Sequence, residues 1–315
     1  VETPEHAWHY TTAHGLLEIV RRHRIWATSA AYMNDRNEIR EGRDAIRRAL
    51  EKRRPQLEDW QLKQLAEIGI DSDPTPISVF LLSAALDGDS LTLWRSYGAG
   101  GEAEYAIDFD PIVSMWPVVQ NEAEQHPEPP PGYYEDAREE VETGHFAQLY
   151  DPDAASVLAS GWGKVEYLGD TSRVVEDELQ EIIDGLKKPH EDSFYVMFSD
   201  YQQGLDPTVF FKQPGFSDEN EVRSTWRVEP WWRFVLYRVG RFGIAPYVEV
   251  SAKRGTQPLH LWRGITQDEV GLLPIRSVRI GPTRGEDDAE VTLRALLDAH
   301  GYGHVEILRS STPYR

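Results

Sequence analysis

Apolar and polar positions at the start of the chain read as strand, helix, strand. Trp8-His9-Tyr10-Thr11-Thr12 leads into apolar residues at helical spacing, Leu16, Leu17, Ile19 and Val20, and Ile25-Trp26-Ala27-Thr28 returns as a short strand. From Asp35 to Arg53 the spacing of Ile39, Ala45, Ile46, Ala49 and Leu50 predicts an amphipathic helix closed by Pro55, and Trp60, Leu62, Leu65 and Ile68 predict a second. The run from Ile77 to Ser83 suits a strand covered on both faces and is expected to be central. Asp87 and Asp89 stand where the N-terminus of a helix carrying Leu91, Leu93 and Trp94 favours carboxylates, Gly98 to Gly101 stop that helix, and Glu104 to Phe109 forms the next strand.

In the second half, Val174 to Leu186 and Ala289 to Ala299 have helical periodicity. Glu221 to Val228, Trp231 to Val239, Ala245 to Val250 and Val278 to Ile280 read as strands. Phe194 to Phe198 and Val209 to Phe211 fit either state. Pro127 to Gly132, with three consecutive prolines between acidic segments, is the one linker-like stretch and marks a domain boundary or a long insertion. Strands and helices mixed in this way predict an α+β fold.

Composition narrows the partners. The formal charge of −20, from 53 acidic against 33 basic residues, repels phosphate backbones over the surface as a whole and disfavours non-specific coating of nucleic acid. A local basic pocket can still hold a dinucleotide or one nucleic-acid strand, because net charge describes the whole surface and not any one cleft. With no cysteine, disulfides, thiolate metal sites and a cysteine nucleophile drop out together. No run approaches the ~20 apolar residues of a membrane helix, and Val1 to His6 lack a signal-peptide pattern, so a cytoplasmic protein with no membrane partner is expected.

The sequence holds no Gly-rich phosphate loop ending in Lys-Ser or Lys-Thr, no dinucleotide fingerprint after a strand, no paired-His zinc helix and no Gly-x-Ser-x-Gly elbow. Four clusters carry polar chemistry. In His9-Tyr10-Thr11, alternation sends His9 and Thr11 to one face, a workable sugar-binding edge, or else a backbone-bonded histidine with a threonine helix cap. Asn34-Asp35 with Glu38 can ligate a divalent metal or form a capping box. Ser83 ends an apolar strand ahead of Asp89, Trp94, Arg95 and Tyr97, where the aromatic pair, three apart, can stack on a flat ring or be ordinary core. Between Lys212 and Arg223, a strand that begins early would put Glu219, Glu221 and Arg223 on one face, two carboxylates beside a guanidinium.

In order, these segments resemble the bacterial family catalogued as domain of unknown function 2971. The resemblance rests on His9-Tyr10-Thr11, on Ile25-Trp26 leading to Met33-Asn34-Asp35 and Glu38, and on Ser83 with Asp89-Ser90-Leu91, Trp94 and Tyr97. It continues through Gly101 to Phe109, Lys212 to Arg223, Ile280-Gly281-Pro282 and Ser311-Thr312-Pro313-Tyr314, and because it spans nearly the whole chain it implies a single domain over residues 1–315 with a variable insertion around residues 116–160. An early His, a central strand ending in Ser with aromatics beyond, and a late Glu-x-Glu look, more distantly, like ADP-ribosyltransferases. That resemblance implies a split, twisted, mainly antiparallel sheet with peripheral helices, and an enzyme that consumes NAD without a metal.

By the same resemblance, His9 would bond the adenosine ribose, Thr11 or Ser83 would help hold the nicotinamide half, Trp94 or Tyr97 would stack on a ring, and Tyr10 would be among the NAD-binding residues. Glu221 would be the catalytic carboxylate, Glu219 would orient an acceptor of unspecified class, and Arg95 or Arg223 would pair with the diphosphate. An ionised carboxylate bonded to the ribose hydroxyls stabilises the oxocarbenium-like state of nicotinamide–ribose cleavage more than the ground state. The Ser-Thr-Ser middle motif of those enzymes is missing, and Ser83-Ala84-Ala85 stands in its place. Two further readings stay open. One is a divalent-metal-dependent hydrolase or nuclease using His9, Asp35 and Glu38. The other is a non-catalytic nucleotide-sensing or partner-binding module, for instance in a defence or toxin-antitoxin system.

Overall fold

The computed structural model describes residues 3–32, 36–68, 79–97, 104–120, 156–167, 172–186, 207–229, 231–240, 243–255, 264–282 and 288–312. It is a mixed α+β fold built on a large, mainly antiparallel open sheet with few helices.

The opening segment forms β1 (Ala7–Thr11), α1 (Ala13–Arg22) and β2 (Ile25–Ser29). Thr12 caps α1 by accepting from the Gly15 amide at 3.0 Å, and Leu16, Ile19 and Val20 form the buried stripe. Next come α2 (Arg36–Arg53), α3 (Asp59–Ile68), β3 (Val79–Ala85), the short α4 (Leu91–Ser96), β4 (Tyr105–Phe109) and β5 (Trp116–Pro117). After them lie β6 (Ser156–Ala159), β7 (Gly163–Lys164), β8 (Glu166–Tyr167) and α5 (Ser172–Gly185). The final third carries β9 (Phe211–Lys212), β10 (Glu221–Glu229), β11 (Val235–Gly240), β12 (Gly243–Ser251), β13 (Ile275–Ile280), α6 (Asp288–Ala299) and β14 (Glu306–Arg309).

The main path of the sheet runs β11-β12-β2-β3-β1-β4-β13-β14, with β10 on β3 and β5, β6 and β7 attached outside it. Only β13 and β14 are parallel within it, as the α6 crossover between them requires. The expected central strand is central: β3 is buried at every position but Ser83, and β10 pairs with its full length from Val79 to Ala85. A strand has two edges, so β2 and β1 share the other one. Thr28 and Ser29 meet Leu81 and Phe80, whereas Trp8 meets Ala85. The two strands therefore leave β3 as a fork, with Leu82 to Ala84 at the crotch.

The main core joins α1, α6 and the sheet through residues such as Phe80, Phe109, Trp226 and Leu297. Each such side chain contributes roughly 1.5–3 kcal/mol by leaving water. A second core joins α2, α3 and α5 through Ile46, Leu50, Leu65 and Leu179. Trp231–Arg233 is a 3-10 turn and the strand read from Trp231 begins at Val235. Val209 and Phe210 belong to another 3-10 turn that runs into β9. The ends of the expected insertion are sheet strands, since β5 pairs β12 and β6 pairs β10, while its middle and Phe194 to Phe198 lie outside the described residues. Among the described residues no helix is long and apolar enough to cross a membrane.

Candidate functional site

The fork between β1 and β2 opens into a cavity of about 400 Å³, within the range of small-molecule sites. Its lining gathers His9, Tyr10 and Thr11 of β1, His14 and Glu18 of α1, Trp26 and Thr28 of β2, Ser83 of β3, Tyr97 after α4, Glu219 of the turn before β10, Glu221 at the start of β10, and Arg238 of β11.

At the crotch, His9 Nδ1 lies 3.0 Å from the Ser83 carbonyl oxygen. The imidazole thus occupies a position on the open edge of β3 that a strand amide would otherwise fill. Burial pushes its pKa below the ordinary value, so a neutral ring donates from Nδ1. The backbone-bonded histidine and the threonine cap foreseen as the plain alternative are both present, and His9 nonetheless faces the cavity. Ser83 Oγ is buried without a hydrogen-bond partner, although it stands near enough to Glu221 to favour that group's ionised form. Thr11 and the start of α1 approach closely, since a Cβ on Gly15 would fall 2.1 Å from Thr11 Oγ1.

The carboxylates come together by a route other than strand alternation. β10 begins at Glu221, Asn220 takes the left-handed conformation at φ 42°, and Glu219 closes the 3-10 turn Pro214–Glu219. What unites the two carboxylates is Lys212, whose Nζ lies 2.8 Å from Glu219 Oε2 and 2.9 Å from Glu221 Oε2. Arg223 grips Glu221 with two donors, Nε to Oε1 at 2.7 Å and a terminal nitrogen to Oε2 at 3.0 Å, and also donates to the Val209 carbonyl. Burial alone would raise the Glu221 pKa. The adjacent guanidinium and then the ammonium outweigh that effect and hold it below the usual carboxylate range.

Glu219 is less enclosed. Its Oε2 accepts from Lys212 and, at 3.2 Å, from the Tyr97 hydroxyl. Burial, followed by the two carboxylates, raises the Tyr97 pKa, so the phenol stays a neutral donor. Tyr97 reaches this place because α4 ends at Ser96 and Tyr97 turns into extended backbone at φ −116°, ψ 97°.

Other candidates fall elsewhere. Trp94 is buried core, edge-on to Tyr10 with centroids 4.6 Å apart, and its indole donates to Asp89 at 3.0 Å, so it forms no stacking pair with Tyr97. Tyr10 lines the cavity with its ring while its hydroxyl bridges the Asp87 carbonyl and the Ser90 amide at 2.8 and 2.9 Å. Arg95 is exposed and, like Arg223, does not line the cavity. Asp89 does not cap α4, whose N-cap is Ser90; it accepts from Ser310, Ser311 and Thr312 and so fastens the end of the chain to the loop before α4. Asn34 and Asp35 and the Glu38 side chain lie outside the described residues, among which no group of three or more His, Asp or Glu is placed to hold a metal ion.

Lys212 and Arg238 received no role from the sequence. Lys212 sat inside the Lys212 to Arg223 stretch, and its position nine residues before Glu221 was the available signal; nothing local marks Arg238. No family model, no curated protein and no solved structure matches the chain.

Proposed function

We propose that the forked cavity binds NAD and that the protein cleaves the nicotinamide–ribose bond, passing ADP-ribose to an acceptor or to water. The observation that carries this reading is the convergence of His9, Thr11, Ser83, Tyr97, Glu219 and Glu221, from distant parts of the chain, on one cavity at the sheet fork. The resemblance in residue order supplies the reaction class, and the convergence supports it by grouping the residues it names.

The geometry also favours a division of labour. Glu221 has both oxygens engaged by Arg223 and Lys212, which suits a fixed negative charge and a scaffold. Glu219 accepts from Lys212 and Tyr97 on Oε2, which leaves Oε1 for a ribose hydroxyl. In the proposed reaction the bond between the ribose anomeric carbon and the nicotinamide nitrogen breaks with its electron pair leaving on nicotinamide. A carboxylate at the ribose hydroxyls stabilises the positive charge that develops on the sugar, and an acceptor oxygen or nitrogen then attacks that carbon and loses a proton.

The test is nicotinamide release by the wild type, Glu219→Gln and Glu221→Gln, with melting recorded on each. Release lost in a Glu219→Gln protein that melts like the wild type supports the reading. A well-folded wild type that binds no NAD at millimolar concentration refutes it. The full engagement of Glu221 favours one second reading, a sensing module, which predicts that NAD binds with no nicotinamide released.

A further inference from the structure

We infer that the end of the cavity around Arg238 is an anion subsite that takes the phosphate groups of a nucleoside diphosphate, so that the cavity discriminates phosphorylated ligands from bare nucleosides. The inference deepens the dinucleotide reading and rests on it only for the rest of the ligand.

Among the described residues three arginines line the cavity, and two are neutralised. Arg22 donates to Glu18 at 2.8 Å, and Arg24 donates to Glu249 at 2.7 Å and to Gln267. Arg238 has no carboxylate partner among the described residues. One terminal nitrogen donates to Thr28 Oγ1 at 2.8 Å, and the guanidinium sits over the Trp26 ring, 5.4 Å from its centroid. Its Nε is buried without a hydrogen-bond partner, as is that of Arg24.

An unpaired, partly desolvated guanidinium is costly, and the orphaned Nε of Arg238 adds to that cost. A phosphate group offers several acceptor oxygens and the opposite charge, and a guanidinium held in plane by an aromatic face meets it with donors already oriented. The placement on β11 follows from register. Arg238 stands opposite Ala245 of β12, while Tyr247 of β12 stands opposite Thr28 of β2, which brings β11 within reach of the β2 arm of the fork. Arg95 and Arg223, named earlier for the diphosphate, are respectively exposed and committed to Glu221, so Arg238 takes that role in this proposal.

The experiment is titration of the full chain with ADP, pyrophosphate and adenosine, using the wild type, Arg238→Gln and Arg238→Lys, each checked by melting. The wild type is expected to bind ADP at least tenfold more tightly than adenosine. Arg238→Gln should abolish that preference with adenosine affinity unchanged, and Arg238→Lys should keep part of it. Should Arg238→Gln fail to fold, Trp26→Leu, which removes the aromatic platform from a half-exposed position, should lower the ADP-to-adenosine ratio several-fold. Equal affinity for ADP and adenosine, no binding of either at millimolar concentration, or a ratio unmoved in the variants overturns the subsite. NAD cleavage with KM unchanged in Arg238→Gln also overturns it while sparing the proposed reaction. An intact ADP preference in a protein that neither binds nor cleaves NAD sinks the reaction and spares the subsite.

Discussion

Replacing Lys212 with Met removes the ammonium that holds Glu219 and Glu221 together while keeping most of the side-chain volume. The Lys212 and Glu221 side chains are each 5% exposed, with contacts of 2.8 and 2.9 Å to the two carboxylates. At an effective dielectric of about 20, each contact corresponds to roughly 6 kcal/mol of Coulomb attraction, and desolvation of the three charges cancels much of the sum. Breaking one member out of a buried pair typically costs about 3–5 kcal/mol, and we expect a loss of that size at pH 7. The cost has a sign in pH. Glu221 is held below its unfolded pKa in the wild type, so its contribution is complete above that unfolded value and is lost as pH falls through the folded one. Without Lys212, burial weighs more heavily on Glu221 and its carboxyl titrates at higher pH, so the gap between wild type and variant should narrow from pH 7 to pH 5. Urea unfolding followed by tryptophan fluorescence at both pH values measures it. A loss under about 1 kcal/mol at pH 7, or a gap that widens on acidification, would refute the account of Lys212 as the joint between the two carboxylates.

Asp89→Ala should cost about 1.5–3 kcal/mol by releasing the Ser310 to Thr312 segment and orphaning the Trp94 indole, read as a lowered urea midpoint. Because its hydrogen bonds outweigh burial and hold the Asp89 pKa down, that contribution should be present above about pH 4 and vanish as pH falls further. His9 and His23 are both pushed below the ordinary histidine value by burial, so wild-type stability should decline as pH drops below about 6.5; His9→Gln should flatten part of that decline in melting scans. Gly264→Ala should destabilise by about 1–3 kcal/mol, since its Cβ would lie 2.5 Å from the Pro117 carbonyl oxygen and 2.4 Å from the Phe234 ring, which circular dichroism melts will detect.

Local pattern made the sheet readable wherever burial is repetitive. The β3 run stands out because nearly every residue is apolar, and α1 because Leu16, Ile19 and Val20 fall on one stripe below a threonine cap. The fork between β1 and β2 depends on pairing between distant segments, Trp8 with Ala85 and Thr28 with Leu81, and no window of the sequence contains it. For the same reason His9, Ser83, Glu219 and Glu221 are identifiable one by one as polar residues in structured positions, whereas Lys212 between the carboxylates and Arg238 on Trp26 are visible only once the chain is folded. Trp94 and Tyr97 show the limit of helical spacing. A helix through both would have given them one face, but α4 stops at Ser96, so one becomes core and the other reaches Glu219.

These positions bear on how any Glu221 variant should be interpreted. Arg223 is fully buried and bonded to Glu221 through two of its nitrogens, so Glu221→Gln leaves a buried guanidinium facing a neutral amide and removes a partner of Lys212 as well. Structural damage and loss of chemistry would then coincide, and inactivity alone would not separate them. Glu219→Gln is the cleaner probe, because Glu219 is more exposed, lies on a turn and not in the strand, and keeps an oxygen to accept from Lys212 and Tyr97. If Glu219 contacts the ribose, its amide variant should melt close to the wild type while nicotinamide release falls by two orders of magnitude or more, a size typical of removing one pre-organised electrostatic contact (~10²–10³). Release retained in a folded Glu219→Gln protein, but lost in an equally folded Glu221→Gln, would return the chemistry to the strand carboxylate and leave Glu219 as its neighbour.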